Sequence, residues 1–265
     1  TLKLEDFKNK NFTTYKTKVS SIKECINEIR KKSKENNSFV YSWNMAENLK
    51  FLGKGFVFQN KINVNNSENF KFLPEEESSK IKPFLSIWNK LTIKAANLIF
   101  YYLNSTSKNF KEDDFTSVIF PFYGKEAYFN FFGKKGFYES QLLISENKIE
   151  DFFDELKFIF KKFQPSISLL SFKNMRGTQE FLRFEDNKMC ITFDYINNKK
   201  NSLFMSEIDK ICVKLKILPS IIKDSRLNKQ IVEQCYPEYL RFKDLLYDYD
   251  KKRIYKSEIS KRLEI

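Results

Sequence analysis

Few side-chain types in this chain can move a proton or hold an anion. Its 265 residues include no histidine. That excludes a Ser-His-Asp or Cys-His nucleophile and any His-ligated metal, and it leaves acid–base work to carboxylates, Lys, Tyr, Cys or a cofactor. The four cysteines, Cys25, Cys190, Cys212 and Cys235, form no C-x-x-C pair and match no zinc spacing, so no metal site is expected. They read as reduced thiols of a cytoplasmic protein, although four cysteines also permit two disulfides. The six glycines form no G-x-G-x-x-G, G-x-x-x-x-G-K-[ST] or G-x-S-x-G, so no recognisable phosphate-cradling loop or nucleophile elbow is present. Asp113 with Asp114, and Asp151 with Asp154, read as solvated charge. The run Lys223, Asp224, Ser225, Arg226 is more pointed, because it closes the apolar segment from Leu218 to Ile222. A lysine at a strand end can project into a cleft, where burial or an anion tunes it. The same run also fits a solvated turn in which Lys223 pairs with Asp224.

The elements that must carry these residues follow from periodicity. Thr, Tyr and Val alternate from Asn11 to Ser20 as in a strand. Ser21 and Glu24 then form an S-x-x-E capping box, and Ile22, Cys25, Ile26 and Ile29 give the stripe of a helix over about 21–34. Strands are expected over 39–43 and 55–59, a long polar loop over 60–83, a helix over 84–103, a second polar loop over 104–114, and renewed strand character over 114–121. The second half repeats the pattern: a strand over 136–144, a helix capped by Ser145, strands over 167–172 and 189–195, a helix over 202–216, a short strand over 219–222, then helical segments to the end. Recurring strand–helix–strand–strand order predicts an α+β fold, an antiparallel sheet covered by helices and built from two ferredoxin-like halves.

Lys and Arg number 47 against 34 Asp and Glu, a net charge of +13. The surplus is spread along the chain rather than blocked, so nucleic acid is not an expected partner; an anionic surface is the other reading. Aromatic content of 17% argues against disorder. Asn89, Lys90, Lys94 and Asn97 interrupt the apolar stretch 84–103, so it reads as packed on the protein, with membrane-surface contact as the alternative. The first residues lack an apolar signal-peptide core, and the start at Thr1 rather than Met reads as a trimmed chain.

Several of these segments resemble FAD-linked oxidoreductases of the vanillyl-alcohol-oxidase superfamily, nearest to the family of decaprenylphosphoryl-β-D-ribose oxidase. Tyr236-Pro237 with Phe242, followed by Asp250, Tyr255, Ser257, Glu258 and Arg262-Leu263, is similar to that family's closing signature. The run from Lys223 to Arg226 resembles its K-D-[SA]-R. Gly136 to Gln141 resembles its G-F-L-Q-Y-Q strand, Phe172-Lys173 its F-K, and Ile191 to Tyr195 its I-x-V-D-F. Near the front, Tyr41 to Trp43 and Leu52 to Gly55 resemble its Y-S-V-A-W and S-L-G-R-S. The matches fall in the family's order along nearly the whole chain.

The resemblance implies the substrate (cap) domain of a two-domain flavoenzyme, with FAD held mainly by an N-terminal domain outside this chain. Residues 1–235 would form the substrate-binding α+β domain, and 236–265 a helical segment returning toward the FAD domain. The implied reaction oxidises a secondary alcohol of a sugar, a polyprenyl-phosphate-linked pentose, by hydride transfer to flavin. It implies Lys223 as the catalytic and cofactor-facing cation and Lys173 as a substrate-binding lysine. Gln141, Glu139, Thr192 and Phe132 are the implied further pocket residues. Phe132 stands where relatives carry a Tyr, Glu139 where they carry a Gln, and Thr192 where some carry a reactive Cys; Cys190 lies two residues earlier. Asp250-Lys251 replaces their Asp-Pro. The general base stays open among Tyr, Glu, a lysine and the flavin half. The partners implied are the FAD domain, the sugar substrate and a peripheral membrane surface, in a cytoplasmic protein. A non-catalytic basic module holding an anionic partner is the alternative from a different class.

Overall fold

Ser21 opens the first helix as its spacing predicts: the Ser21 hydroxyl accepts the Glu24 backbone N–H at 3.2 Å. Glu24 reaches back one residue further than a capping box requires and accepts from the Ser20 backbone N–H at 2.7 Å and the Ser20 hydroxyl at 2.6 Å. The structure is a computed structural model and describes residues 11–35, 38–63, 83–113, 115–122 and 127–265. In the first half, strand β1 (Asn11–Val19) leads to helix α1 (Ile22–Lys32), strands β2 (Ser38–Asn44) and β3 (Gly55–Asn63), helix α2 (Lys90–Thr106) and strand β4 (Phe110–Asp113). Short helices α3 (Phe115–Ile119) and α4 (Ala127–Asn130) follow. The second half runs β5 (Phe137–Ile144), α5 (Ile149–Phe163), β6 (Ile167–Asn174), β7 (Met189–Ile196), α6 (Lys199–Leu215) and β8 (Leu218–Pro219). Helices α7 (Lys229–Cys235), α8 (Tyr239–Tyr249) and α9 (Glu258–Leu263) end the chain.

Among the described residues eight strands form one sheet in the order β4-β1-β3-β2-β6-β7-β5-β8, with antiparallel pairing throughout. Each half is a β-α-β-β-α-β unit whose strands lie in the order fourth, first, third, second. The two units meet edge to edge through β2 and β6. The α+β architecture expected from the recurring element order is therefore present.

Because cross-strand partners share a face, the register sorts every strand residue. One face carries Val40, Val57, Leu142, Leu170, Phe172, Ile191, Phe193 and Tyr195, all buried. Helix α1 lays Cys25, Ile26 and Ile29 on this face, and α5 lays Phe152, Phe153, Leu156, Ile159 and Phe160 there. Helix α6 adds Phe204, which meets Phe160 and Tyr195. Each such side chain taken from water contributes about 1.5–3 kcal/mol, and the Phe, Leu and Ile spacing of α5 sets this helical face inward. Tyr236, Tyr239, Leu263 and Ile265 join the same core, so residues 236–265 pack as part of this body.

The opposite face is where the two halves differ. Helix α2 crosses this face rather than the helical one: Phe100 and Tyr101 pack on Phe56, and Phe100 also packs on Trp43. Lys16 of β1 donates to the Asn104 carbonyl in the last turn of α2, where a cation complements the helix dipole. Strand β7 is buried at every position, so its outward side chains are roofed as well.

Several boundaries differ from the sequence reading. Strand β3 runs to Asn63 and takes the start of the expected 60–83 loop; 64–82 lie outside the described residues. The helix expected over 84–103 begins at Lys90, because Asn89 is an N-cap: its side chain accepts from the Leu91 and Thr92 N–H groups while Thr92 returns to the Asn89 N–H. The second expected loop contains β4, a polar edge strand held by pairing with β1. The β-branched segment after Asp114 forms the short helix α3, since β4 already occupies the sheet edge beside β1. Ser145 precedes a 3₁₀ turn over Glu146–Lys148 and makes no side-chain cap bond. The strand expected over 219–222 is limited to Leu218–Pro219, because Asp224 N–H donates to the Ser220 carbonyl at 3.1 Å and turns the chain.

Candidate functional site

Alternation along β5, β6 and β7 brings chemistry to the face opposite α1, α5 and α6. Register pairs Glu139 with Asp194, Gln141 with Thr192, and Leu143 with Cys190 between β5 and β7. Between β6 and β7 it pairs Leu169 with Asp194, Ser171 with Thr192, and Lys173 with Cys190. Lys173 in turn faces Tyr41 of β2. In a strand of apolar residues, the polar side chains Thr192 and Asp194 recur at period two, so one face of a buried strand is polar by design of its sequence. Phe172 points into the core while its neighbour Lys173 stays exposed.

Lys223 arrives from the turn after β8. Its Nζ lies 3.6 Å from Glu139 Oε1, and the same oxygen accepts from Gln141 Nε2 at 2.8 Å. Lys223 is therefore not the partner of Asp224. Asp224 points the other way and is buried, held by Arg226 at 2.7 Å; Arg226 also reaches Asp209 of α6 at 3.2 Å. The C-terminal residues hold this turn in place. Arg262 donates to the carbonyls of Ile221, Asp224 and Leu227 at 2.7–2.9 Å, and the Tyr236 hydroxyl donates to the Pro219 carbonyl at 2.7 Å. Thus Asp224, Arg226, Tyr236 and Arg262 serve the shape of the turn, and Lys223 is the member that faces the polar patch.

At the patch's inner end, Tyr128 of α4 donates its hydroxyl to Asp194 Oδ2 at 2.8 Å and lies 2.7 Å from the Ser168 hydroxyl. Burial, reinforced by the charge of Glu139, pushes the Asp194 carboxyl up to about 7; the Tyr128 hydrogen bond and the charges of Lys223 and Lys173 act in the other direction. Burial and Asp194 likewise raise the Tyr128 hydroxyl. Among the described residues the Ser171 hydroxyl, beside Thr192, is buried with no hydrogen-bond partner. A buried hydroxyl left unpaired is costly, and a ligand atom or water would satisfy it. Burial raises the Cys190 thiol to about 11, so it is not a ready thiolate.

Next to Tyr128 and Ser168 opens a cavity of about 150 Å³ between α2 and the sheet. Trp43, Trp88, Phe100, Tyr101 and Phe122 form its aromatic walls. The second glycine of the Leu52 to Gly55 segment has a local reason here: a Cβ at Gly55, the first residue of β3, would lie 2.1 Å from the Trp43 carbonyl oxygen.

Of the residues singled out from the sequence, Lys223, Lys173, Gln141, Glu139 and Thr192 share this one face. Phe132 does not reach it. It is fully buried, stacked on Phe137 with ring centres 4.8 Å apart and set edge-on to Tyr128 at 5.4 Å. It therefore backs Tyr128. Asp194, Tyr128, Ser168 and Ser171 were not assigned roles from the sequence. The alternation in β7 was a signal for Asp194, whereas a four-residue helix offers no periodicity that could have marked Tyr128.

Among the described residues, no group of three or more His, Cys, Asp or Glu could hold a metal ion, and no helix is long and apolar enough to cross a membrane. All four cysteines are buried and unpaired. No model of a known protein family matches the chain, and no curated protein sequence matches it. Among solved structures the chain is similar to a candidate monooxygenase of Fusobacterium nucleatum subsp. nucleatum, at 9% identity over 80% of this chain and 88% of that one, with a TM-score of 0.21. A likeness at that score says nothing of function.

Proposed function

We propose that the polar face is the substrate-side wall of a flavin-dependent oxidoreductase, acting on a secondary alcohol of a sugar, a polyprenyl-phosphate-linked pentose. The reading rests on one observation: two lysines, Lys173 and Lys223, share a single sheet face with Glu139, Gln141, Thr192 and Asp194. FAD would be held mainly by a separate domain, and when bound it accepts the hydride of the alcohol carbon. The residues present suit the ring end of such a group: Lys223 is a half-exposed cation, and the unpartnered Ser171 hydroxyl leaves one hydrogen bond to be filled.

Each residue then has a definite task. Lys223 sets a positive charge on the face, where it stabilises negative charge that develops during reaction. Glu139 restrains both the Lys223 ammonium and the Gln141 amide nitrogen, which leaves the Gln141 side-chain carbonyl oxygen as the group to meet a donor hydroxyl. Lys173, exposed and without an ion pair among the described residues, suits a phosphate or sugar oxygen. Asp194 and Tyr128 form a hydrogen-bonded pair whose carboxyl changes state near neutrality, which suits the holding or passing of a proton at the Tyr128 hydroxyl. The aromatic cavity gives that pair a largely apolar surround.

The test is an absorption spectrum of the purified gene product that carries this chain, recorded with and without a polyprenyl-phosphoryl ribose in the absence of oxygen. Flavin bands that bleach on addition of the sugar support the reading. A product with no flavin, or one whose flavin is untouched by any sugar alcohol, overturns it and leaves a basic module for an anionic partner.

A further inference from the structure

Helix α2 is apolar on both sides. Its inner side, with Ile93, Phe100 and Tyr101, packs on the sheet and closes the aromatic cavity. Its outer side carries Leu91, Leu98, Ile99, Tyr102 and Leu103 in positions that recur at three, four and seven residues, a continuous stripe along the helix. These side chains stand in water: Leu91 is 79% exposed, Tyr102 70%, Ile99 60% and Leu103 59%. Phe84 and Leu85, in the segment that leads into the helix, are also exposed, at 76% and 69%. A soluble surface rarely leaves so many large apolar groups adjacent without a partner.

The charge around the stripe indicates which partner. From Pro83 to Lys111 the sequence contains Lys90, Lys94, Lys108 and Lys111 and no Asp or Glu. Lys90 and Lys94 flank Leu91 on the helix, and Lys134 sits over the Phe84 ring at 5.3 Å from its centre. Glu47, beneath the helix, is occupied by Asn97 at 2.7 Å. A second protein surface would call for paired charges or apolar complementarity of fixed shape. A stripe of Leu, Ile and Tyr on a helix whose charged residues are both lysines, Lys90 and Lys94, is the composition that enters the headgroup boundary of a bilayer, with lysines reaching anionic lipid and Tyr at the interface. The helix is too short in apolar residues to cross.

We propose that the outward face of α2, with Phe84 and Leu85, docks on an anionic lipid bilayer and lies flat in its surface. The helix thereby sets the aromatic cavity on its inner side one helix diameter from the lipid. The proposal stands apart from the flavin reading, since vesicle binding is measured without turnover.

The experiment is co-sedimentation of the 265-residue chain with sucrose-loaded vesicles of phosphatidylcholine alone or with phosphatidylglycerol added. Binding is expected with phosphatidylglycerol, and it weakens with salt. The variant Leu98→Glu/Ile99→Glu should lose binding by roughly tenfold or more while keeping the wild-type melting curve. Lys90→Gln/Lys94→Gln, at two exposed sites, should weaken binding by roughly fivefold per lysine, the effect of about 1 kcal/mol for a basic residue near an anionic surface. The proposal is overturned if wild type stays in the supernatant with every vesicle, or if both variants bind as wild type does. It is equally overturned if light scattering finds a dimer that Leu98→Glu/Ile99→Glu dissociates and no vesicle binding, for then a second copy covers the face.

Discussion

Replacing Asp194 by Asn tests the electrostatics of the polar face without altering its shape. Asp194 is 5% exposed and accepts from the Tyr128 hydroxyl at 2.8 Å, a bond that an amide carbonyl oxygen can keep. In the folded chain burial, then Glu139, holds the carboxyl protonated up to about 7, against an ordinary value of 3.8. The sign follows from proton binding. Above about pH 4 the unfolded chain releases this proton while the folded chain retains it, so stability falls as pH rises to about 7 and is level above that. One pH unit in this window corresponds to about 1.4 kcal/mol, so the whole window is worth on the order of 4 kcal/mol and the part from about pH 5 upward about 3 kcal/mol. The amide of the variant has no proton to lose in this range. Urea unfolding of wild type and Asp194→Asn at about pH 5 and about pH 8, with equal denaturant slopes, should therefore give a stability difference that moves by about 3 kcal/mol in the variant's favour at the higher pH. Carboxyls away from the patch, such as the partly buried Asp209, contribute equally to both proteins and cancel. Parallel pH profiles for the two proteins would refute the reasoning, because they would mean that Asp194 is ionised in the fold at both pH values.

Three other outcomes are expected. Gly55→Ala should destabilise the chain by more than about 2 kcal/mol in thermal melts, because its Cβ meets the Trp43 carbonyl at 2.1 Å within paired strands that cannot separate; an unchanged melting temperature would contradict this. Arg226→Met leaves the buried Asp224 and the partly buried Asp209 without their cation, at a cost of about 3–5 kcal/mol. Burial already pushes the Asp209 carboxyl up, so without Arg226 the loss should be greater at alkaline than at acidic pH in the same urea assay; an equal loss at both would be the contrary result. Burial raises the thiols of Cys25 and Cys235 to about 12 and that of Cys190 to about 11. A thiol-disulfide reagent at neutral pH should therefore find no fast-reacting cysteine in the folded chain and four after unfolding; one rapid thiol in the native protein would show a cysteine outside the core.

Elements that bury a face were legible, and those that do not were less so. The stripe of Ile22, Cys25, Ile26 and Ile29 and the stripe from Ile149 to Phe160 each became a helix with those residues inward, since period and burial agree. Alternation in β7 carried both its core side and its polar side. Strand β4, with the sequence Phe110, Lys111, Glu112, Asp113, has no apolar pattern because it lies at a sheet edge and stands on backbone pairing with β1. The start of α2 was misplaced by six residues, from 84 to Lys90, though Asn89 and Thr92 encode it as an N-cap pair; the apolar run before them concealed it. That α2 crosses the face opposite α6 could not be read from periodicity, because α2 carries large apolar residues on its solvent side as well as on its sheet side and offers no single inward stripe. The site divides in the same way. Lys173, Thr192, Gln141 and Glu139 come together because strand register is regular. Lys223 joins them through a turn held by Tyr236 on Pro219 and Arg262 on Asp224, bonds between residues 17 and 38 positions apart that no local pattern conveys.

The central claim is that Lys223 supplies the charge that the reaction uses on the polar face. The measurement that tests it most directly is the rate of anaerobic flavin bleaching in the flavin-loaded gene product, mixed with saturating polyprenyl-phosphoryl ribose, for wild type, Lys223→Ala and Lys216→Ala. Lys216 is an exposed lysine bonded to the Gln234 carbonyl and serves as the control. The account predicts that Lys223→Ala slows bleaching by about a hundredfold, the usual effect of removing one preorganised charge or donor, and that Lys216→Ala matches wild type. Bleaching by Lys223→Ala at the wild-type rate would contradict it.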